Sequence, residues 1–490
     1  MKSSENYFEP FRRNVIGYDQ TFETPQGLKR IVYADWTASG RLYRPIEERM
    51  MKDFGPFVAN THTETTVTGT RMTEAYHAAH DIIKKHVNAD TNDVIITQGS
   101  GMTGVMAKFQ RMLGLRIPEQ ISKQVHLPDE ERPVVFVTHM EHHSNHTSWL
   151  ETIVDVVCIQ PGDDGTVDLA YLKEALGRYK NRKMKIASIT ACSNVTGIRT
   201  PIHDIARIMH QEGGLCFVDF ACSAPYVPIN MHPADPLESL DAIFLSPHKF
   251  LGGPGTPGVL IFNSKLYTLK VPDQPGGGTV DWTNPWGGHK YLDDIEARED
   301  GGTPPFLQTI KAALCIRLKE KIGVENMMRR EEEIVKILFE ELPGVKGLNI
   351  LAANNRDRLA VVSFHIDGLH YNLGVKLLND YFGIQTRGGC SCAGTYGHYL
   401  LNIPKEVSRR ITDKIDNGDL SEKPGWMRIS LHPTMTNDEV YYIINALRQL
   451  VSNFTVWGKD YTYNRNTNEY CHNSFDSISS SPVQRWMEID

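Results

Sequence analysis

The sequence predicts an α/β protein: a large domain with a mostly parallel sheet flanked by helices, then a smaller α+β C-terminal domain. Three observations carry that reading. Short apolar, β-rich runs alternate with helix-patterned stretches between about residues 90 and 262. The polar clusters follow those runs and do not interrupt them. After about residue 310 the alternation gives way to long helical stretches and a few further strands. Parallel strands need a crossover between them, and a helix covers it, so alternation is the mark of such a sheet.

In chain order, DVIIT at 93–97 precedes the helix-patterned MTGVMAKFQRML, and PVVFVT at 133–138 precedes EHHSNHTSWLE. KIASIT at 185–190 precedes a turn and PIHDIARIMHQEG. LCFVD at 215–219, AIFLS at 242–246 and GVLIF at 258–262 complete the set. Beyond them TIKAALCIRLKEKIGVENMMRREEEIVKILFEEL is strongly helical. RLAVVSFHI, GIQTR and WMRISLH read as strands with helical segments between them. The expected layout is an N-terminal arm over 1–45, the large domain over 46–310, the small domain over 311–455 and a polar tail over 456–490. The Ser/Asn-rich tail is expected to pack loosely or stay disordered.

A chain of 490 residues is too long for one compact core. At 40% hydrophobic and 23% charged residues it has an ordinary globular composition. A net charge of -7 argues against a nucleic-acid partner, which calls for a basic face. Met1 leads into KSSENYFEPFRRN, which lacks the apolar core of a signal peptide. No apolar run approaches the roughly 18 residues of a membrane span. The 8 cysteines are scattered, which suits a reducing cytosol better than a disulfide scaffold. The expectation is a cytoplasmic protein with neither a membrane nor a nucleic-acid partner.

Each notable polar cluster follows a strand: Gly99-Ser100-Gly101, Glu141-His142-His143, Ser193-Asn194, Asp219, and Ser246-Pro247-His248-Lys249. In open α/β sheets, ligands sit beyond the carboxyl ends of the strands. The Gly99–Gly101 turn offers backbone N–H groups and the Ser100 hydroxyl to a phosphate at a helix start, or serves as a plain helix cap. It is not a Walker loop, since no Lys-Ser/Thr follows. A lysine in a dry site becomes an imine-forming nucleophile, which would explain Lys249; a strand-end lysine facing solvent is the plainer reading. Asp219 suits the acid that keeps a pyridinium ring charged, and equally a turn residue. His139, His142, His143 and His146 invite a metal reading, with His142 and His146 four apart, but the full zinc signature is missing. No metal is expected, and a histidine stacked on an aromatic cofactor is the better reading. Cys390 and Cys392, in the glycine-rich TRGGCSCAGTYG, are too close in sequence to favour a disulfide and offer an exposed thiol near Arg387. Arg428, in GWMRISLHP, offers a two-pronged grip on a carboxylate.

Taken in this order, the motifs resemble the class V aminotransferase-fold enzymes, of fold type I among pyridoxal phosphate enzymes. Within that class the chain most resembles the cysteine desulfurases and selenocysteine lyases, over roughly residues 30–455. The resemblance implies pyridoxal 5'-phosphate as cofactor and Lys249 as the Schiff-base lysine of SPHK. Through MEHHSN it implies His142 stacking on the ring, through SNVTG Asn194 at the ring oxygen, and through VDFACSAP Asp219 at the ring nitrogen. Ser100, Gly101, Ser246 and His248 fall near the phosphate. EDGGTPP places Thr303 at a partner's phosphate, which implies a homodimer. RGGCSCAG makes Cys392 the sulfur-accepting cysteine, and Arg428 binds the substrate carboxylate, with Asn194 also facing substrate. The implied reaction moves sulfur from L-cysteine to an enzyme persulfide, releases alanine and hands the sulfur to an acceptor protein. The bare run after Lys249 is expected to let backbone pass close to the cofactor and a neighbouring subunit. Three departures stand out: Cys222 where glutamine is usual, DWTAS near the amino terminus, and an insertion over 403–424. The rival readings are an aminotransferase, or another carbon–sulfur lyase or epimerase, in which Cys392 is incidental. A cofactor-holding protein without turnover and a metal-binding protein are further rivals, the latter resting only on the histidines.

Overall fold

A computed structural model of the chain describes residues 3–61, 63–475 and 482–489. The chain forms two compact units. One comprises Asn14–Ile16 and Thr37–Arg329; the other comprises Met1–Arg13, Gly17–Trp36 and Arg330–Asp490.

The unit containing residues 37–329 is built on a seven-stranded sheet. Its strands are β1 (Asp93–Gln98), β2 (Val134–Thr138), β3 (Asp155–Ile159), β4 (Lys185–Thr190), β5 (Leu215–Asp219), β6 (Ala242–Leu245) and β7 (Gly258–Asn263). They lie in the order β1-β7-β6-β5-β4-β2-β3. The pairs β2–β3, β2–β4, β4–β5 and β5–β6 are parallel, and β7 runs antiparallel to both neighbours. The expected mostly parallel sheet is thus present, with one reversed strand that an apolar run such as GVLIF cannot announce. Strands β2, β4 and β6 are buried at every residue, while β3, at the edge, is mostly half-buried. Burial on both faces is why these strands read as continuous apolar runs and do not alternate.

Helices α1 (Val67–His86), α2 (Gly101–Met112), α3 (His143–Leu150), α4 (Leu169–Arg178), α5 (Ile202–Gln211) and α6 (Phe306–Ile322) belong to this unit. Thr66 caps α1 by accepting the Gly69 N–H at 3.3 Å, and Asp168 caps α4 by accepting from Ala170 and Tyr171 at 2.8 and 3.0 Å. Each side-chain cap satisfies a donor that the helix start leaves open. On α2, Phe109 meets Phe262, Phe217 and Phe244 of β7, β5 and β6 at centroid distances of 5.1, 5.2 and 5.8 Å. All four rings are fully buried, so α2 is held on the sheet by aromatic packing.

Helix α7 (Val324–Glu341) leads into the other unit, whose main sheet has four antiparallel strands. These are β8 (Leu348–Ile350), β9 (Val361–Ile366), β10 (Arg387–Gly389) and β11 (Trp426–Ser430), in the order β8-β9-β11-β10. The N-terminal segment joins this unit: Val32 and Tyr33 pair in parallel with Ile384 and Gln385, and Asp35 bridges to Ser430. Helices α8 (Tyr371–Phe382), α9 (Gly394–Leu400), α10 (Lys405–Asp416) and α11 (Asn437–Trp457) complete the helical layer. Thr436 and Glu439 form a reciprocal capping box on α11. The stretch expected as an insertion, 403–424, contains α10, a polar helix whose one buried residue is Ile411.

Within 456–490 the chain makes an antiparallel hairpin of β12 (Tyr461–Asn464) and β13 (Glu469–His472), then a short helix at Val483–Trp486. Tyr461 is buried and donates to Asp380 Oδ2 at 2.8 Å. The hairpin therefore packs despite its polar composition; residues 476–481 and 490 of this stretch lie outside the described residues. Among the described residues, no helix is long and apolar enough to cross a membrane.

Candidate active site

Because β7 alone is reversed, the carboxyl ends of β1, β2, β4, β5 and β6 lie along one edge. Ser100, Gly101, His142, Asn194, Asp219, Ser246, His248 and Lys249 all follow those ends.

At the end of β1, Ser100 is the N-cap residue of α2. The Met102 N–H donates to Ser246 Oγ at 2.9 Å, tying the start of α2 to the end of β6. Gly101 has φ +60°, and a Cβ there would stand 3.1 Å from Ser246 Oγ and 3.5 Å from His248 Cδ2. The bare glycine therefore keeps open a cradle walled by a helix start, a hydroxyl and an imidazole. A helix start favours negative charge, and this arrangement can receive a phosphate.

At the end of β2, His142 is the N-cap of α3, and its Nδ1 accepts the Ser144 N–H at 3.1 Å. The hydroxyls of Thr103 and Ser144 lie 2.6 Å apart and join the first turns of α2 and α3. After β4, Ser193 Oγ accepts the N–H groups of Val195 and Thr196 at 3.1 and 3.2 Å, so Asn194 stands on a fixed turn and is buried.

Asp219 ends β5, in register with Thr190 on one side and Phe244 on the other. Its Oδ1 accepts the Ala221 N–H at 2.8 Å. Burial pushes its carboxyl above the usual range, opposed by that N–H and by the Lys249 ammonium. Cys222 lies just beyond, its Sγ 4.0 Å from Cys192 Sγ and 3.7 Å from the Ser193 carbonyl oxygen. Lys249 ends the tight turn Pro247–Lys249, with its N–H donating to the Ser246 carbonyl at 3.0 Å. Burial, then the neighbouring Lys249 charge, lowers His248 to about 4, so this imidazole is neutral near pH 7.

The glycine run after Lys249 packs closely on its own chain. A Cβ at Gly253 would lie 1.9 Å from the Pro247 carbonyl oxygen, inside any allowed contact. The close approach is made by the lysine turn of the same chain, and it fixes the backbone that carries Lys249. Thr303 is exposed and lines, with Gln98, Gly99 and Gln274, a cavity of about 600 Å³. His139 turns Nε2 to the Gly165 carbonyl oxygen at 3.2 Å, and burial lowers it to about 4. Among the described residues, metal-ligating atoms converge instead at Asp90, Asp93 and His232, where His232 Nε2 lies 2.6 Å from Asp93 Oδ2.

In the other unit, Arg428 on β11 is opposite Arg387 on β10. Two guanidinium groups in that position repel, and Asp35 offsets this by accepting from both. Its Oδ1 takes Arg428 Nη2 at 2.6 Å and its Oδ2 takes Arg387 Nε at 3.0 Å. Arg428 is buried, Cys390 half-buried and Cys392 exposed. The cysteine loop is a defined turn: the Ala393 N–H donates to the Cys390 carbonyl at 3.0 Å, and Ser391 and Cys392 have φ of 51° and 56°. Two successive non-glycine residues in the left-handed region are costly and uncommon away from functional sites. Sequence reasoning missed two carboxylates, Asp35 and Glu141. Asp35 sits in the DWTAS stretch singled out for another reason, but its arginines lie far along the chain. Glu141 belongs to MEHHSN, where the histidines draw attention first.

The family model described as Aminotransferase class-V matches residues 32–443. A "Probable cysteine desulfurase" of Staphylococcus aureus (strain Mu50) is 25% identical over 426 residues, covering 86% of this chain and 92% of that protein. A "Cysteine desulfurase" of Haloferax volcanii is 25% identical over 411 residues, 79% of this chain and 89% of that protein. Among solved structures, an apo cysteine desulfurase from Thermococcus onnurineus NA1 superposes with a TM-score of 0.73 at 22% identity, covering 91% of this chain and 98% of that one. The cysteine desulfurase CsdA from Escherichia coli gives a TM-score of 0.69 at 20% identity, with the same coverage. The fold is shared with both.

Proposed function

The chain belongs to the class V aminotransferase family, and from that premise we propose that it is a pyridoxal-phosphate-dependent cysteine desulfurase. It acts on L-cysteine, or on selenocysteine as the close analogue. The observation that carries this reading is the thiol of Cys392, exposed on a strained turn three residues past β10. An aminotransferase needs no thiol there, whereas a sulfur acceptor must be exposed. The curated relatives point the same way by name.

The donor set fits the cofactor. The Gly101 cradle suits its phosphate, held by the start of α2, Ser100, Ser246 and His248, and the buried Asp219 suits its ring nitrogen. When bound, pyridoxal phosphate supplies an electron sink for the substrate's α-carbon. Asp219 would keep the ring nitrogen protonated, His142 would cover the ring face and Asn194 would donate to the ring oxygen. Lys249 would hold the cofactor as its imine lysine, and its free amine would carry the proton at the substrate's α-carbon. Arg428, oriented by Asp35, grips the substrate carboxylate. The Cys392 thiolate attacks the substrate sulfur: an S–S bond forms, the carbon–sulfur bond breaks, its electron pair stays on the β-carbon, and that carbon takes a proton to leave as the methyl group of alanine.

The enzyme works as a homodimer, with Thr303 reaching the partner's phosphate, and passes its sulfur to an acceptor protein in the cytoplasm. Sedimentation at micromolar protein is expected to give a dimer; a fully active monomer would contradict that part. The main test is product analysis with cysteine, with and without a 2-oxo acid. Alanine, with sulfide once an added thiol reductant cleaves the persulfide, is the expected result, independent of the oxo acid. A new amino acid made from the oxo acid would assign an aminotransferase instead.

A further inference from the structure

Glu141 immediately precedes His142 and is 1% exposed. Its Oε1 accepts from Thr138 N at 3.1 Å, Thr138 Oγ1 at 2.7 Å and Thr190 N at 2.9 Å. Its Oε2 accepts from Asn145 Nδ2 at 2.7 Å. The Asn145 amide is held in that orientation. Its Oδ1 takes Ser188 Oγ at 2.6 Å and Trp149 Nε1 at 3.3 Å, and an indole N–H can only donate. Donors thus meet both oxygens of Glu141, which favours its ionised form against burial. The groups they come from belong to the end of β2, the end of β4 and the first turn of α3. Those three places carry His142 and lead into Ser193-Asn194. Thr190 is also in register with Asp219, and the next N–H, of Ala191, donates to the Asp219 carbonyl at 2.9 Å.

We propose that Glu141 is a positioning residue for the cofactor site: its carboxylate fixes three strand and helix ends on one another and places a second negative charge behind Asp219. The inference rests on the pyridoxal phosphate reading. The groups facing Glu141 from β2, β4 and α3 are uncharged, and Asp219 on β5 is the charged neighbour that raises it. Burial is the largest cause, the hydrogen bonds from Thr138, Thr190 and Asn145 oppose it, and the balance lies at about 7. Coupling is reciprocal, so an ionised Glu141 favours positive charge on the cofactor ring and its lysine linkage.

The test compares Glu141→Gln and Thr138→Val with the parent protein, by pH titration of the bound cofactor's visible absorbance and by thermal unfolding without cofactor. Glutamine keeps the size, loses the charge and sets an amide N–H₂ against a donor. Its titration is expected to fall by roughly half a pH unit or more, as removal of a nearby opposite charge requires. Thr138→Val keeps volume and removes one donor, so its titration shifts in the same direction by less. It also gives a folded protein to measure should Glu141→Gln fail to fold. Lowered unfolding temperatures with unmoved titrations would reduce Glu141 to a structural residue and overturn the proposal. A parent that takes up no pyridoxal phosphate would overturn the functional reading, and this inference with it.

Discussion

At the scale of single residues, the site depends on charge held where water is excluded. Asp219 is fully buried, yet it lies close enough to Lys249 for the two charges to act on each other. Replacing it by asparagine keeps the shape and one acceptor oxygen and removes the charge proposed to hold a proton on the ring nitrogen. Asp219→Asn is expected to bind pyridoxal phosphate and to release sulfur from cysteine more slowly, on the order of 10²-fold. Single-turnover kinetics would read this, and a rate equal to the parent's would make Asp219 a turn residue. Lys249, Asp219, His142 and Cys392 could be singled out in the sequence because each sits in a short local pattern. Asp35 could not be, since its partners Arg387 and Arg428 are brought to it only by the sheet. Glu141 was equally hidden: nothing local in MEHHSN tells that Thr190, on another strand, donates to it.

At the scale of elements, α2 joins stability to chemistry. Its first turn walls the Gly101 cradle and its middle packs Phe109 against three strands. Phe109→Ala opens a cavity beneath the helix and is expected to cost about 3–5 kcal/mol. The urea midpoint should fall accordingly, and a change below about 1 kcal/mol would mean that the aromatic cluster does not hold the helix. The strands flanking α2 were legible because both faces are buried, which makes their sequences continuously apolar. The hairpin at 461–472 was not legible, because its packing is aromatic and polar. Tyr463 and Tyr470 face each other at 4.8 Å, and His370 lies 5.3 and 5.4 Å from their rings. A composition rule that counts Asn, Thr and Arg reads such a segment as unstructured. The glycines after Lys249 were legible as a demand for close approach, and at Gly253 the group approached is a carbonyl of the same turn.

At the scale of the whole molecule, the family match over residues 32–443 accounts for the fold and for most of the motif order. The hairpin at 461–472 lies beyond that match, on the C-terminal unit. What the family leaves open is the reaction, since one fold of this kind serves several chemistries. The central claim is that Cys392 takes sulfur from cysteine. It is tested most directly by incubating the intact, cofactor-loaded protein with L-cysteine and measuring peptide masses under non-reducing conditions. The account predicts one added sulfur on the peptide that holds Cys392. Cys392→Ser should show no such mass and no sulfide release, and Cys390→Ser should keep both. Full turnover by Cys392→Ser, with a 2-oxo acid consumed and no persulfide on the parent, would contradict it.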